Sequence, residues 1–222
     1  MPMLEVELKK QKYLENIKTE KGRERTRQML AHAIDTFIEL GYEGTSLTTI
    51  INKSGGSRTT IYQCFGNKEG LFVAALEMMT DDLYRECISG YRHGRTLVED
   101  LTGFGQIFLT TITMPRAVGA LRLVYTQAPV IEGLGKWFYE EAFEASYKAL
   151  AKILENHIDA TVEELTPMAG VFVESLKGRL FHKALCIPTY QPGQEEIKAE
   201  VDLCTDMLVA CIKERYSGRF SK

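Results

Sequence analysis

Apolar residues recur along most of this chain three and four positions apart, the spacing of one buried helix face. The pattern predicts helices over about 23–40, 68–89, 96–113, 116–127, 131–157, 162–186 and 194–216. Gly41 is placed to end the first of them, and proline or glycine marks most of the other breaks. No convincing alternation of apolar and polar residues, which would indicate a strand, occurs in the sequence. The chain is therefore predicted to be all-α, with about nine helices.

Two further short helices are predicted within residues 45–68, TSLTTIINKSGGSRTTIYQCFGNK. Ser46 is of a type that caps helices, and Gly55 with Gly56 supplies a tight turn before a second possible cap, Ser57. The inward positions of the first helix are Leu47, Ile50 and Ile51. Those of the second are Ile61 and Phe65, and its separate polar face carries Thr59, Tyr62 and Gln63. Two short helices joined by a glycine turn, the second with a polar face, are typical of a helix-turn-helix.

The stretch from about Arg25 to about Phe72 resembles the DNA-binding domain of the TetR family of bacterial transcriptional regulators. The residues that match the pattern of that family are Thr45, Ser46, Ile50, Gly55, Ser57, Thr60, Ile61, Tyr62, Phe65, Lys68, Glu69 and Leu71. The resemblance implies a three-helix DNA-binding unit over 23–68, after an N-terminal tail or helix extension over 1–22. It also implies a helical ligand-binding and dimerisation domain over 69–222.

The polar residues of the helix-turn-helix have side chains suited to DNA. Phosphates are bound by donors on a rigid backbone, and base edges are read in the major groove by short or planar polar side chains. The candidates for phosphate contacts are Thr45, Thr48, Ser57, Tyr62 and Lys68, and the resemblance supports Tyr62 and Lys68 in particular. The candidates for base contacts are Arg58, Thr59, Thr60 and Gln63.

The C-terminal half is rich in aromatic residues, and residues 122–143 resemble the ligand-binding half of AefR-like regulators. In the TetR family this half encloses an apolar pocket whose occupant changes the angle between two DNA-binding heads. The resemblance makes six aromatic residues candidates for the pocket, although each could equally belong to the core: Phe104, Phe108, Tyr125, Trp137, Phe138 and Phe172. Few charges fall on the apolar side of these helices, which favours an apolar or aromatic effector.

The last two predicted helices carry repeating apolar stripes, made of Val171, Leu176, Leu180, Ile197, Val201, Leu208 and Ile212. The resemblance implies that these helices pair with a second copy in a four-helix bundle, so that a homodimer reads a palindromic operator. The alternative is that the stripes pack only within one chain.

Charge is unevenly distributed along the chain. Residues 1–68 hold 11 Lys/Arg and 8 Asp/Glu, a net of +3, whereas the whole chain has a net charge of −3. A basic head on an acidic body fits a nucleic-acid partner at one end. The basic residues of 1–22 belong either to a fraying tail or to an arm that reaches DNA.

The remaining composition excludes several classes of function. The five cysteines have no C-x-x-C spacing and the four histidines are scattered, so no metal or other cofactor is expected. No apolar run is long enough to span a membrane, and the start of the chain lacks the apolar region of a signal peptide, which predicts a cytoplasmic protein. No motif of an enzyme occurs.

The sequence therefore predicts a ligand-responsive regulator and no enzyme. It is expected to act as a repressor that a small apolar or aromatic molecule releases from operator DNA. Two alternatives stay open: a protein-interaction module that has lost operator reading, and a carrier that uses the aromatic body. The effector, the operator, and any redox role of a cysteine are left undetermined by the sequence.

Overall fold

The computed structural model describes residues 17, 19–55, 57–94 and 96–218, which form ten helices and no strand. Six helices make up the first half: α1 (Glu20–Gly44), α2 (Leu47–Ser54), α3 (Arg58–Phe65), α4 (Lys68–Gly90), α5 (Leu97–Ile112) and α6 (Pro115–Gln127). The continuous helix α7 (134–154) consists of Leu134–Phe138, a π-helical turn Tyr139–Glu144 and Ala145–Leu154. The last three are α8 (Val162–Lys177), α9 (Arg179–Cys186) and α10 (Gln194–Arg215). The predicted all-α class is confirmed.

The starts and ends of the first four helices follow from local chemistry. Gly41 adopts a φ of +75°, which ends the regular part of α1 where it was predicted to end. The hydroxyls of Ser46 and Ser57 accept the backbone N–H groups three residues on, and so cap α2 and α3. Asn67 caps α4 in the same way through its side-chain oxygen. Gly55 has a φ of +70° in the turn between α2 and α3, while Gly56 lies outside the described residues.

The head, α1 to α4, packs around a core that extends into the body. Phe37, Ile50, Ile61 and Phe72 are each 0% exposed in this core. The same cluster continues into α6 and α7, where Ala117, Ala120 and Phe138 are buried. Since α1 also packs against α6, the head and the body share one hydrophobic contact surface.

A second core lies among α5, α7, α8, α9 and α10. Its fully or nearly fully buried members include Leu101, Leu109, Leu150, Phe172, Leu176 and Val201. Gly105 of α5 lies so close to α10 that an added Cβ would come within 2.8 Å of Val201. This close approach brings α5 and α10 together over one face of the body.

Two details differ from the predicted helices. The segment 162–186 is two helices, because the backbone at Gly178 leaves α-helical geometry, with φ −38° and ψ −86°. The apolar spacing continues across this break, so the pattern alone does not reveal it. Helix α7 contains a π-helical turn at Tyr139–Glu144, in which each backbone turn holds an additional residue.

Among the described helices, none is by itself long and apolar enough to cross a membrane. Helices α5 and α6 reach that length and composition only as a pair, and they are bent by 70° relative to each other.

Candidate functional site

The outer surface of α3 carries the polar face that the sequence predicted. Ile61 is 0% exposed and holds the helix on the head core, while Tyr62 is 56% exposed. Thr59 and Gln63, two positions before and two positions after Ile61, are also exposed. The side chains of this outer face of α3, Thr59, Tyr62 and Gln63, form no hydrogen bond to other described residues and can meet a ligand directly.

Arg58 joins the two helices of the helix-turn-helix. Its Nη2 donates to the hydroxyl of Thr48 over 2.6 Å, and both side chains are exposed. The bond places a guanidinium at the start of α3, where a base edge or a phosphate could replace the threonine as acceptor. Arg25 of α1 lies nearby, with its Nη2 3.5 Å from the carbonyl oxygen of Gly55.

The hydroxyls of Ser57 and Thr60 are engaged with each other at the start of α3. Ser57 Oγ accepts the N–H of Thr60 over 3.1 Å, and the two hydroxyl oxygens lie 2.9 Å apart. Ser57 is exposed and Thr60 half-buried. The cap therefore fixes the N-terminal turn of α3, whose N–H groups favour an anion.

Lys68 is the first residue of α4 and lies close to the end of α3. Its Nζ is 4.3 Å from the centroid of the Tyr42 ring, a cation–π contact that positions the ammonium beside the head. The pKa of Tyr42 is raised, mainly by burial and then by the charges of Glu69 and Glu43. A neutral Tyr42 thus supports the cation at this surface.

Thr45 does not fit its predicted role as a phosphate contact. Its side chain is 2% exposed, and its hydroxyl donates to the carbonyl oxygen of Gly41 over 2.7 Å. A second, longer contact of 3.3 Å reaches the carbonyl of Thr36. The hydroxyl is therefore bound to carbonyl groups of α1, which makes Thr45 a residue of the fold.

A cavity of about 160 Å³ lies in the body between α4, α5, α6 and α7, with one residue each from α8 and α9. Three of the predicted pocket residues line it: Phe104, Phe108 and Phe138. The rings of Phe104 and Phe108 are stacked, with centroids 5.7 Å apart. An apolar cavity of about 150 Å³ is large enough for a benzene molecule. The cavity is therefore suited to a single aromatic ring.

The other three predicted pocket residues, Tyr125, Trp137 and Phe172, do not line this cavity. Phe172 is 1% exposed and belongs to the second core. Tyr125 is 50% exposed on the outside of α6. Trp137 packs against the head core, with its ring centroid 5.9 Å from that of Phe138. The resemblance made them candidates without showing which neighbour each faces.

Helix α4 contributes one whole wall of the cavity. Leu76, Met79, Leu83 and Tyr84 face it from successive turns, and Cys87 follows one turn later. Burial raises the pKa of both Tyr84 and Cys87, so both are neutral at physiological pH. Because α4 starts beside α3 and ends at this wall, it connects the outer face of the head with the cavity.

Two charged side chains also line the cavity, Glu141 of the π-helical turn and Lys177 at the end of α8. Lys177 is only 7% exposed, and burial lowers its pKa despite the opposing influence of Glu174. This lysine is not among the residues predicted from the sequence. Its spacing from Val173 and Leu180, four and three residues away, is the signal that places it on the buried face of the helix.

A buried carboxylate, Asp100, lies beyond the end of α4 and is 0% exposed. It accepts hydrogen bonds from the hydroxyl of Tyr91, over 2.5 Å, and from the backbone N–H of Gly94. His93 Nδ1 and His157 Nε2 lie 2.9 and 2.6 Å from its Oδ2. The pKa of Tyr91 is raised by burial and by this bond. Asp100 thus joins the segment after α4 to α5 and to the turn after α7.

The apolar stripes of the last helices lie mostly inside the chain. Leu176, Leu180, Ile197, Val201, Leu208 and Ile212 are all buried in the second core. For these six residues the structure gives the alternative explanation, packing within one chain. The seventh predicted residue, Val171, is instead 67% exposed. Two apolar residues of α10 outside the predicted set, Leu203 and Met207, are 59% and 63% exposed.

In the described part of the chain, no group of three or more His, Cys, Asp or Glu residues is placed to hold a metal ion. All five cysteines are free thiols, and burial raises the pKa of Cys64, Cys87 and Cys204. A raised pKa disfavours the reactive thiolate.

Two family models match the chain. The model of bacterial regulatory proteins of the tetR family matches residues 29–75. The model of the C-terminal domain of AefR-like transcriptional repressors matches residues 99–213, more than half of the chain. The two matches cover the helix-turn-helix and most of the body.

Similar proteins agree with these matches. The HTH-type transcriptional regulator RutR of Escherichia coli (strain K12) is 38% identical over 53 residues, which are 24% of this chain and 25% of RutR. A transcriptional regulator from Mesorhizobium loti has a similar structure, with a TM-score of 0.69, 22% identity, and coverage of 87% of this chain and 98% of its own. The Flavonoid-responsive Regulator FrrA also has a similar structure, with a TM-score of 0.68 and 22% identity. The match covers 85% of this chain and 97% of FrrA. The chain thus spans about a quarter of the curated relative, and nearly all of each solved structure.

Proposed function

Because this chain belongs to the TetR family of bacterial transcriptional regulators, we propose that it is a ligand-responsive repressor in the cytoplasm. A homodimer binds a palindromic operator, and a small apolar or aromatic molecule in the body cavity releases it. The observation that carries the proposal is that α4 belongs to both sites. It begins at Lys68 beside α3, and residues farther along it, such as Tyr84, line the cavity. We retain the division into a DNA-binding unit, 23–68, and a ligand-binding unit, 69–222.

DNA reading is assigned to the outer face of α3 and its first turn. A recognition helix places its N-terminal residues against base edges in the major groove. Arg58 is suited to guanine, Gln63 to adenine, and the methyl groups of Thr59 and Thr60 to thymine. The groups assigned to phosphates are the exposed Thr48, Ser57 and Tyr62 and the half-buried Lys68.

Release by the effector requires that the ligand favour one arrangement of the heads over another. A ring in the cavity would lie against α4, which lines the cavity from Leu76 to Cys87. A shift of α4 also moves α3, since the two helices are adjacent along the chain and share the head core. The name of FrrA, a flavonoid-responsive regulator of the same fold, is in keeping with an aromatic effector.

Dimerisation is assigned to the outer surface of the last helices. Val171 on α8, and Leu203 and Met207 on α10, are more than half exposed although they are large and apolar. Leu203 and Met207 are four residues apart and so share one face of α10. Such a surface would be covered when α8 and α10 meet their copies in a four-helix bundle.

The test is a salt titration of binding between the purified protein and the DNA that flanks its own gene. We expect tight binding that needs a palindrome and weakens steeply as salt rises. Tyr62→Ala should weaken binding to all sequences by roughly tenfold, because it removes a phosphate donor and leaves the dimer intact.

Tyr139→Ala is the matched control, since Tyr139 is 49% exposed but lies in the body. It should leave DNA binding unchanged. If Tyr62→Ala also has no effect, the placement of α3 against DNA is wrong. Weak binding that ignores sequence would favour the protein-interaction module over the repressor.

A further inference from the structure

Lys177 is the one cation among the described residues that line the body cavity. It is the last residue of α8, just before the break at Gly178, and is 7% exposed. Its Nζ is 4.1 Å from the centroid of Phe143, a ring that also lines the cavity. The ammonium therefore lies at the cavity wall and not in bulk solvent.

The partners of this ammonium leave part of its hydrogen-bonding capacity unused. Nζ donates to Glu174 Oε1 over 2.5 Å, and the hydroxyl of Tyr147 donates to the same oxygen. An ammonium has three N–H donors. Among the described residues, Glu174 is its only hydrogen-bond acceptor, and the aromatic rings of Phe143 and Tyr147 complete its surroundings.

The position of Glu174 makes it a weak counter-ion for a buried cation. Its side chain is 52% exposed, so water screens its charge, whereas the side chain of Lys177 is 9% exposed. A buried charge is stabilised when it is paired and hydrogen-bonded in its own environment. A carboxylate that arrives inside the cavity would supply that pairing to the unused donors.

The rest of the wall is mostly apolar and aromatic, and its volume of about 160 Å³ suits one ring. The other charged residue, Glu141, repels anions and attracts amines, so the two charges make opposite demands on a ligand. Lys177 is the more deeply buried of the two, which makes its pairing the stronger interaction.

We propose that the effector is a one-ring aromatic carboxylate, whose ring stacks among Phe104, Phe108 and Phe138 while its carboxylate binds Lys177. This inference rests on the proposed function, since it specifies the ligand class of the same cavity. It assigns Lys177 as the residue that selects acids over neutral compounds of the same shape.

The experiment is isothermal titration calorimetry of the full chain with benzoate and cinnamate, each against its amide, and with benzylamine. We expect each acid to bind at least about tenfold more tightly than its amide, the value of one charge-assisted hydrogen bond. Equal affinity of acid and amide, tighter binding of benzylamine, or no binding by any of the five compounds would overturn the proposal.

Two variants assign the preference to the lysine. Lys177→Met keeps the length of the side chain and should bring acid and amide to equal affinity, whereas the exposed Lys148→Met on α7 should keep the tenfold ratio. Glu174→Gln removes the competing carboxylate and should increase the ratio. A ratio that survives in Lys177→Met, or that Glu174→Gln leaves unchanged or lowers, contradicts the assignment.

The two levels of the proposal can fail separately. If the protein binds acids selectively through Lys177 but binds no operator, the repressor function is refuted and the ligand class is supported. Operator binding that acids and amides affect equally refutes the ligand class alone.

Discussion

Replacing Asp100 with alanine should destabilise the protein far more than the loss of an ordinary acid. The carboxylate is 0% exposed and has four donors around it: the Tyr91 hydroxyl, the Gly94 N–H, and the rings of His93 and His157. Asp100→Ala leaves these groups without their acceptor. None of these four groups carries a carboxylate that could take its place.

The size of the effect depends on which donors can return to water. The side chain of His93 is 47% exposed and can be rehydrated, whereas that of His157 is 15% exposed. Leaving a buried donor without its acceptor costs about 1–3 kcal/mol, and several donors lose their acceptor here. We therefore expect a loss of about 3–5 kcal/mol in the free energy of unfolding, a large share of the roughly 5–15 kcal/mol of a typical domain.

Urea unfolding, followed by far-UV circular dichroism and by the fluorescence of Trp137, the single tryptophan, measures this loss. Protein concentration must be held constant, because the proposed dimer would contribute to apparent stability. The matched control is Asp202→Ala, which breaks a pair with Lys198 whose side chains are 45% and 60% exposed. That variant should lose less than about 1 kcal/mol. If the two variants lose the same stability, the Asp100 cluster does not hold the segment after α4 in place.

Two further predictions concern the same region and the contact between head and body. The pKa of Tyr91 is raised in the folded state, so its contribution to stability is complete below pH 10 and is lost as the pH rises through the folded pKa. Tyr91→Phe should therefore flatten the decline of the free energy of unfolding in urea titrations above about pH 10. Gly119→Ala should lower the free energy of unfolding by about 1–3 kcal/mol in the same assay, since the new Cβ would come within 2.6 Å of Ile38 Cγ2. The control Gly103→Ala places its Cβ with no atom within 4 Å and should not destabilise the protein. An unchanged alkaline slope, or equal effects of the two glycine variants, would contradict these expectations.

The local features of the head could be predicted from sequence because each depends on residues a few positions apart. Ser46, Ser57 and Asn67 cap helices by reaching an N–H group three residues on. Gly41 and Gly55 adopt positive φ values that side chains disfavour, so glycine itself marks the position. The inward face of α3 follows in the same way from the four-residue spacing of Ile61 and Phe65.

The cavity could be predicted only in part, because its walls come from helices distant in sequence. Spacing shows that Phe172 is buried, but the packing of its helix α8 against α7, α9 and α10 decides that it lies in the second core. Thr45 looked like a polar residue before a helix, yet its hydroxyl turns back to α1. Asp100 lies in the first turn of α5, and its partner His157 lies 57 residues away, so local spacing does not reveal the pair.

The π-helical turn in α7 has a consequence for how the cavity wall can change. A π-helical turn holds one residue more than an α-helical turn, so removing a single residue from Tyr139–Glu144 would let α7 continue as an ordinary α-helix. The residues before and after it would keep their directions, including Phe138 and Ile153 on the cavity side. Only the wall between them, Glu141 to Phe143, would be rebuilt. Under the proposed function, a deletion of one residue would therefore change which molecule fits the cavity and leave the two ends of α7 where they are.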